Sequence, residues 1–273
     1  MIRRDLEITL AETSPADVRT AVNAHEVLLD WSGDSFMADH WLGGEHRAVV
    51  VDGESVGVTG WTDDGLSLLT LSPAARQHDR QVAEVVLHES GARTAYVASW
   101  DAHHLAVLGA FATGIASQAY QFRLSDPDDL REPLAGLSLR RATPEDLPWL
   151  GSTGFQDDYV QYLEGNALSV ALLDQGEVGI AVHVPHVLAD AVVDIGMYVD
   201  PVLRRRGLGS SILALTARDV LARGRTPVAG CWWKNWASRV TLEAAGLTCA
   251  GTIFRLDLDP DTFAAAGGFE ARA

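Results

Sequence analysis

Residues 191–233 constrain the fold more than any other stretch. AVVDIGMYVDP (191–201) alternates apolar residues as a strand does and is stopped by Pro201. GSSILALTARDVLARG (209–224) reads as a helix, with Leu208, Ile212 and Leu215 on one side and Gly224 as its stop. TPVAGCWW (226–233) is again a strand. The helix is therefore a crossover, whereas ALSVALLDQGEVGIAVHV (167–184) is a pair of strands around a Gln-Gly turn. A chain that uses both kinds of connection forms a mixed sheet, not a doubly wound parallel one.

The flanking segments extend the pattern. LSLRRA (137–142) is a short strand, and Thr143 caps a helical TPEDLPWL with Pro144 at its first position. DDYVQYLEG (157–165) reads as a second helix, ASRVTLEAAG (237–246) as a helix ended by Gly246, and LTCAGTIFRLDLD (247–259) as one or two strands. The order is β-α-α-β-β-β-α-β-α-β(β).

The first half repeats this order in weaker form. TSPADVRTAV (13–22) parallels ATPEDLPWLG (142–151), and DGESVGVTGW parallels DQGEVGIAVH. Residues 98–124 align with 230–256, so that Trp100 meets Trp232, Gly114 meets Gly246, and Phe122-Arg123-Leu124 meets Phe254-Arg255-Leu256. The polar segment SDPDDLREPLAG (125–136) is the expected boundary, giving domains at 1–130 and 131–273.

Charge singles out one turn. The chain has a formal net charge of -16, yet Arg204, Arg205 and Arg206 stand together before Gly207 and Gly209. Such acidity argues against a nucleic-acid partner, which needs a basic face. No apolar run suits a membrane span or a leader, and two cysteines make no disulfide framework, so a cytoplasmic location is expected. The first amides of a helix lack internal partners, and the helix dipole adds positive charge there. Gly207 and Gly209 give clearance, Ser210 and Ser211 add hydroxyls, and the arginines reach outer oxygens, so the turn suits a pyrophosphate. It is neither a P-loop nor the three-glycine dinucleotide fingerprint.

In that context, MYVDPVLRRRGLGSSIL followed by the asparagine-led NWASRVTLEAAGL resembles the GNAT superfamily of acetyl-CoA-dependent N-acyltransferases. The resemblance covers about residues 137 to 258. It implies an α/β fold of two GNAT-like domains, each a mixed, mostly antiparallel sheet with flanking helices, whose fourth and fifth strands part in a V. Here those strands are 191–199 and 226–233. It implies acetyl-CoA held by Arg204, Arg205, Arg206, Gly207, Leu208, Gly209 and Ser210, by backbone near Met197, Tyr198 and Val199, and by Asn235 and Ser238. It implies a small-molecule amine acceptor attacked directly in a ternary complex.

Alternation puts Asp194, Gly196 and Tyr198 opposite the apolar face of Val193, Ile195, Met197 and Val199; the resemblance implies a carboxylate base on this strand, so Asp194 is either that general base or a solvated or salt-bridged strand residue. His183 and His186 are alternative proton relays or plain loop histidines. The family's tyrosine, seven residues past the asparagine, is Leu242 here, which leaves Ser238, Tyr198 or water as acid. That departure keeps open a second reading, a non-catalytic acyl-CoA-binding or regulatory protein. Trp232, Trp233 and Trp236 are either core or a wall of the acceptor pocket. No metal site is expected. In the first half RQHDRQVA (76–83) replaces the loop, with Asp79 at the aligned glycine, so one coenzyme site is expected, in a chain that is a monomeric pseudo-dimer or a homodimer.

Overall fold

The computed structural model describes residues 6–152 and 160–262. In chain order the elements are β1 (Ile8–Ala11), α1 (Pro15–Glu26), α2 (Ser35–Leu42), β2 (Glu45–Val51), β3 (Glu54–Thr62), β4 (Gly65–Leu71), α3 (Asp79–Ser90), β5 (Thr94–Ala98), α4 (Ala102–Gly109) and β6 (Ala112–Arg123). There follow β7 (Leu137–Arg141), α5 (Leu147–Ser152), α6 (Val160–Glu164), β8 (Leu168–Leu173), β9 (Gly176–Pro185), β10 (Val192–Val199), α7 (Leu208–Ala222), β11 (Thr226–Trp232), α8 (Trp236–Ala245) and β12 (Thr248–Leu258). The expected 247–259 region is thus a single strand. Of the helix expected at 157–165, the first three residues lie outside the described ones.

The chain divides into two units, and neither is a continuous stretch. One comprises residues 1–32, 36–118 and 252–273; the other comprises 33–35 and 119–251. In the first unit the strands run β1-β2-β3-β4-β5-β12. In the second they run β7-β8-β9-β10-β11-β6. The senses match as well: antiparallel along the first four strands, parallel between the fourth and fifth, antiparallel to the last. Each unit takes its last strand from the other half of the sequence. Both units therefore have the mixed sheet that the hairpins and crossover helices require.

In the first unit, α3, α4 and the turn after α4 cover the sheet with Val82, Val86, Leu87, Val107 and Phe111, packed on Val49, Leu69, Val97 and Leu256. In the second unit both sheet faces are buried. Val193, Ile195 and Ala229 meet Leu213, Ala214 and Leu242 from α7 and α8. On the opposite face Leu168, Val170 and Ile180 meet Leu150, Leu147 and Tyr198. β10 alternates as expected, with Val193 and Ile195 on the first face and Tyr198 on the second. Thr143 opens the turn before α5: its amide donates to the Asp146 carboxylate at 2.8 Å, which also binds the Arg140 guanidinium at 2.6 and 2.8 Å.

The first unit buries a charged group. Asp101 caps α4, accepting from the His104 amide at 3.1 Å. Its Oδ2 also meets His25 Nε2 at 2.8 Å and His104 Nδ1 at 2.7 Å. His104 Nε2 faces the Leu69 carbonyl, which can only accept, so that nitrogen carries a hydrogen. Its Nδ1 faces a carboxylate and needs a hydrogen too, so His104 is an imidazolium. Burial opposes that charge, but the charge and hydrogen bond of Asp101 outweigh it and raise the pKa above its ordinary 6.5. Burial lowers the pKa of His25, against the same carboxylate's pull.

The sign of the pH effect follows. His104 has a raised folded pKa, so its contribution is complete below 6.5 and is lost as pH rises through the folded value. The urea midpoint should fall as the pH is raised above 6.5 into the alkaline range. His104→Gln should be less stable at pH 7 and lose that fall. An unchanged alkaline slope in the variant would show that other groups cause it.

Candidate functional site

The site begins where two parallel strands stop pairing. β10 and β11 are in register at Val192↔Thr226, Val193↔Pro227 and Asp194↔Val228, and the pairing ends there. β10 continues to Val199, held on its far side by β9 through Val199↔Gly179. β11 continues to Trp232, held by β6 through Trp232↔Ala119. A V-shaped gap therefore opens beyond Asp194 and Val228. In the first unit the fourth and fifth strands pair only at Leu66↔Ala95.

Ladder parity decides which peptide groups face the gap. The Asp200 amide donates to Val178 and the Val192 carbonyl accepts from His186, so even-numbered residues of β10 face β9. The Ala191 carbonyl accepts from Thr226, so odd-numbered ones face β11. Beyond the last pair, Met197 and Val199 thus aim their amides into the gap. The Tyr198 amide points to β9 instead, so of the three residues named from the sequence its backbone is committed to the sheet.

The crossover turn closes the open end. Pro201 ends the strand, and the Asp200 carboxylate accepts from the Val202 amide at 3.0 Å. Arg205 and Gly207 both take positive φ, 62° and 77°. Gly207 is the N-cap of α7, one residue earlier than the sequence suggests, and the Ser211 amide makes the first bond back, to the Gly207 carbonyl at 3.1 Å. The amides of Leu208, Gly209 and Ser210 precede it and form the helix's anion-attracting end.

The turn's side chains divide. Arg204 donates from Nε to the Val199 carbonyl at 3.1 Å and lies 5.2 Å over the Tyr198 ring, so it braces the strand end. Arg205 and Arg206 are exposed. The Ser210 hydroxyl donates to the Gly207 carbonyl at 3.2 Å. Gly209 has a packing reason for lacking a side chain: a Cβ there would stand 2.9 Å from the Thr241 methyl of α8. Its hydrogen lets α7 and α8 approach, a packing role beyond the clearance expected from the sequence.

Arg131 was missed by sequence reasoning, because it stands in a segment that reads as linker. Its Nη1 donates to Ser210 Oγ at 2.6 Å, and its guanidinium is the group nearest the Gly207 position at 3.6 Å. Its Nε is buried with no partner among the described residues. A fourth cation thus stands at the start of α7.

The remaining candidates sort by face. Asp194 and Tyr198 share the α5 side of β10. His183 does not: it pairs with Ile195, on the α7 side, bonded to Ser169 Oγ at 3.1 Å. Burial, helped by Arg223, lowers its pKa. His186 is buried, and its Nδ1 accepts from the amides of Leu188 and Ala189 at 3.3 and 3.1 Å, which makes it a turn organiser. Asn235 caps α8, its Oδ1 accepting from the Ser238 amide at 3.1 Å. Leu242 is 2% exposed among Phe122, Leu213 and Ala245, so it faces the core. Burial pushes the Cys231 thiol up to about 11, which keeps it protonated. Trp232, Trp233 and Trp236 are exposed, and Lys234 Nζ lies 5.3 and 5.1 Å from the first two rings.

One further cluster joins residues far apart in sequence. His25, Asp101 and His104 bring their ligand atoms within 4.8 Å of one another in the first unit. The hydrogen bonds already described hold them together.

A parted parallel pair with a helix N-terminus at its mouth defines a class, the GNAT fold. Residues 189–254 match the family model described as FR47-like protein. An acetyltransferase of the GNAT family from Colwellia psychrerythraea superposes with a TM-score of 0.78 at 16% identity, over 93% of this chain and 100% of that one. A tandem GNAT protein from the clavulanic acid biosynthesis pathway, solved without AcCoA, gives 0.57 at 16%, over 91% and 98%. A GCN5-related N-acetyltransferase from Sphaerobacter thermophilus gives 0.51 at 18%, over 91% and 95%. No curated protein matches the chain. These likenesses support the GNAT superfamily for this chain, by fold over most of its length and by the family model over residues 189–254. Among the described residues no helix is long and apolar enough to cross a membrane.

The turn carries its own test. A Cβ at Gly207 meets nothing closer than 3.6 Å, so the cost of Gly207→Ala comes from its φ of 77° alone. The variant should lose about 1–2 kcal/mol of unfolding free energy, read from urea denaturation. No loss would mean that the turn relaxes to another backbone shape.

Proposed function

We propose that the chain is an acetyl-CoA-dependent N-acyltransferase acting on a primary amine of a small molecule in a ternary complex. The observation that carries this reading is the gap beyond Asp194↔Val228, with the Met197 and Val199 amides facing it and the start of α7 at its mouth. The donor set suits a coenzyme with a pyrophosphate and an amide-bearing arm. The amides of Leu208, Gly209 and Ser210, with Arg131, Arg205 and Arg206, hold the pyrophosphate, and the buried, unpaired Nε of Arg131 gains a partner. The Met197 and Val199 amides bind the arm and polarise the thioester carbonyl. Asn235 and Ser238 flank it from α8.

Acetyl-CoA supplies an acyl group already activated as a thioester. Asp194, at the closed end of the gap, takes a proton from the acceptor ammonium. The freed nitrogen would displace the thiolate from the thioester that the coenzyme would supply, the C–N bond forming as the C–S bond breaks, and the nitrogen's second proton would pass to solvent or to the departing sulfur. Leu242 cannot protonate the departing sulfur, and its place in the core makes a tyrosine there an overpacking change. Ser238 or Tyr198 supplies that proton, or water does, since a thiol of pKa about 8.5 leaves tolerably as its anion.

The halves 1–130 and 131–273 are two copies of one plan, of which the second keeps the coenzyme site. In the first unit α3 opens with Asp79, whose carboxylate repels phosphate. Leu242 also favours a second reading, a coenzyme-binding protein without turnover.

Calorimetry should find one coenzyme A per chain. Arg131→Gln should weaken it about 10–100-fold, the worth of a charged hydrogen bond, and Gln81→Glu should change nothing. Asp194→Asn should lower turnover by roughly 10²–10⁴-fold with coenzyme affinity kept. Two sites per chain, or none, would overturn the assignment. Binding without transfer to any amine would favour the second reading.

A further inference from the structure

We infer that the first unit carries a built-in ligand: the His104 side chain fills, between β4 and β5, the place that the coenzyme's arm takes between β10 and β11. The comparison with the arm rests on the acyltransferase reading above. The filled gap does not, because all its residues lie in the first unit.

Register identifies the corresponding peptide groups. β4 and β5 pair at Leu66↔Ala95, and β10 and β11 last pair at Asp194↔Val228. Three residues further along come Leu69 and Met197. The Ser72 amide donates to Val56 as the Asp200 amide does to Val178, so Leu69 and Leu71 face the first gap as Met197 and Val199 face the second. In the first unit that position is taken. His104 Nε2 donates to the Leu69 carbonyl. On the other side of the ring, Asp101 accepts from Nδ1 at 2.7 Å and from His25 at 2.8 Å. Leu68 and Leu69 of β4, Tyr96 of β5, Trp41 of α2 and His104 itself line what space is left, a cavity of about 10 Å³, no larger than one water.

The helix starts decide which gap is filled. The repeat that sets Trp100 on Trp232 sets Asp101 on Trp233 and His104 on Trp236. Asp101 caps α4, whereas α8 is capped two residues later in the repeat, by Asn235, the counterpart of His103. Asp101 and His104 are 2% and 6% exposed, while Trp233 and Trp236 are 43% and 66% exposed. One copy buries a hydrogen-bonding pair where the other leaves two rings in solvent. A carbonyl that faces a gap needs a donor. A donor tethered to the same chain meets it at an effective concentration that a free ligand does not match. The first unit is therefore closed to an amide-bearing arm, independently of the charge at Asp79.

Amide exchange followed by NMR tests this on the whole chain. His104→Ala should speed exchange at Leu69 and Leu71 about 10–100-fold, while Leu68 and Thr70, which face β3, stay slow. Imidazole added to that variant should slow Leu69 and Leu71 again and raise its melting temperature, and it should do neither to the wild type. His104→Gln can still donate to the Leu69 carbonyl. It should keep both amides slow, and it carries the test should His104→Ala not fold. Faster exchange spread evenly over the first unit, no change at Leu69 and Leu71 in His104→Ala, fast exchange there in His104→Gln, or an imidazole effect equal in variant and wild type would each overturn the inference. None of these readouts involves coenzyme, so the acyltransferase reading would survive them. A wild-type chain that binds no coenzyme A would overturn that reading and leave the filled gap standing.

Discussion

Everything at the site depends on two parallel strands that stop bonding to each other. Peptide groups facing a gap lose partners they would have in a closed sheet, and such a loss is tolerated only where something else answers them. This chain answers part of it internally. Arg204 reaches back to the Val199 carbonyl, and Thr241 brings α8 against Gly209 at the start of α7. What stays open is a short run of amides on β10 beside the N-terminus of a helix. Partial closure is what turns a sheet defect into a binding geometry.

Local patterns in the sequence foretold most of this. The alternation of 191–199 assigned Asp194 and Tyr198 to one face, and the structure has them there, because a strand's period of two leaves no other choice. The Arg-Gly turn was legible because glycine at positive φ before a helix has a definite backbone meaning. What stayed hidden needed distance information. Gly209 reads as clearance for a ligand, and only the structure adds that the Thr241 methyl of α8 needs the space too. Arg131 reads as linker and stands at the helix start. The Asp34 carboxylate lies against Gly230, 196 positions away, and no periodicity links a loop to a strand. His183 looked available to Asp194 by proximity in sequence, yet register puts it on the opposite face.

The first unit shows a different use of buried charge. Asp101 is shared by a charged and a neutral histidine, and the carbonyl of Leu69 fixes which is which. A single backbone acceptor thus sets the protonation of a side chain and, through it, the pH range in which the unit is most stable. His25 and Asp101 are 76 positions apart, and no local pattern joins them.

The exchanged last strands bear on how the chain reaches its fold. β6 is synthesised long before β12 and carries Phe122-Arg123-Leu124 where β12 carries Phe254-Arg255-Leu256. While the second half is still being made, β5 has only one strand of that kind to pair with, and it is the wrong one. β5 therefore cannot complete its native pairing until β12 has been made. The two strands share Phe-Arg-Leu and differ in the residues before it, so those residues are what tell β5 and β11 which strand to take.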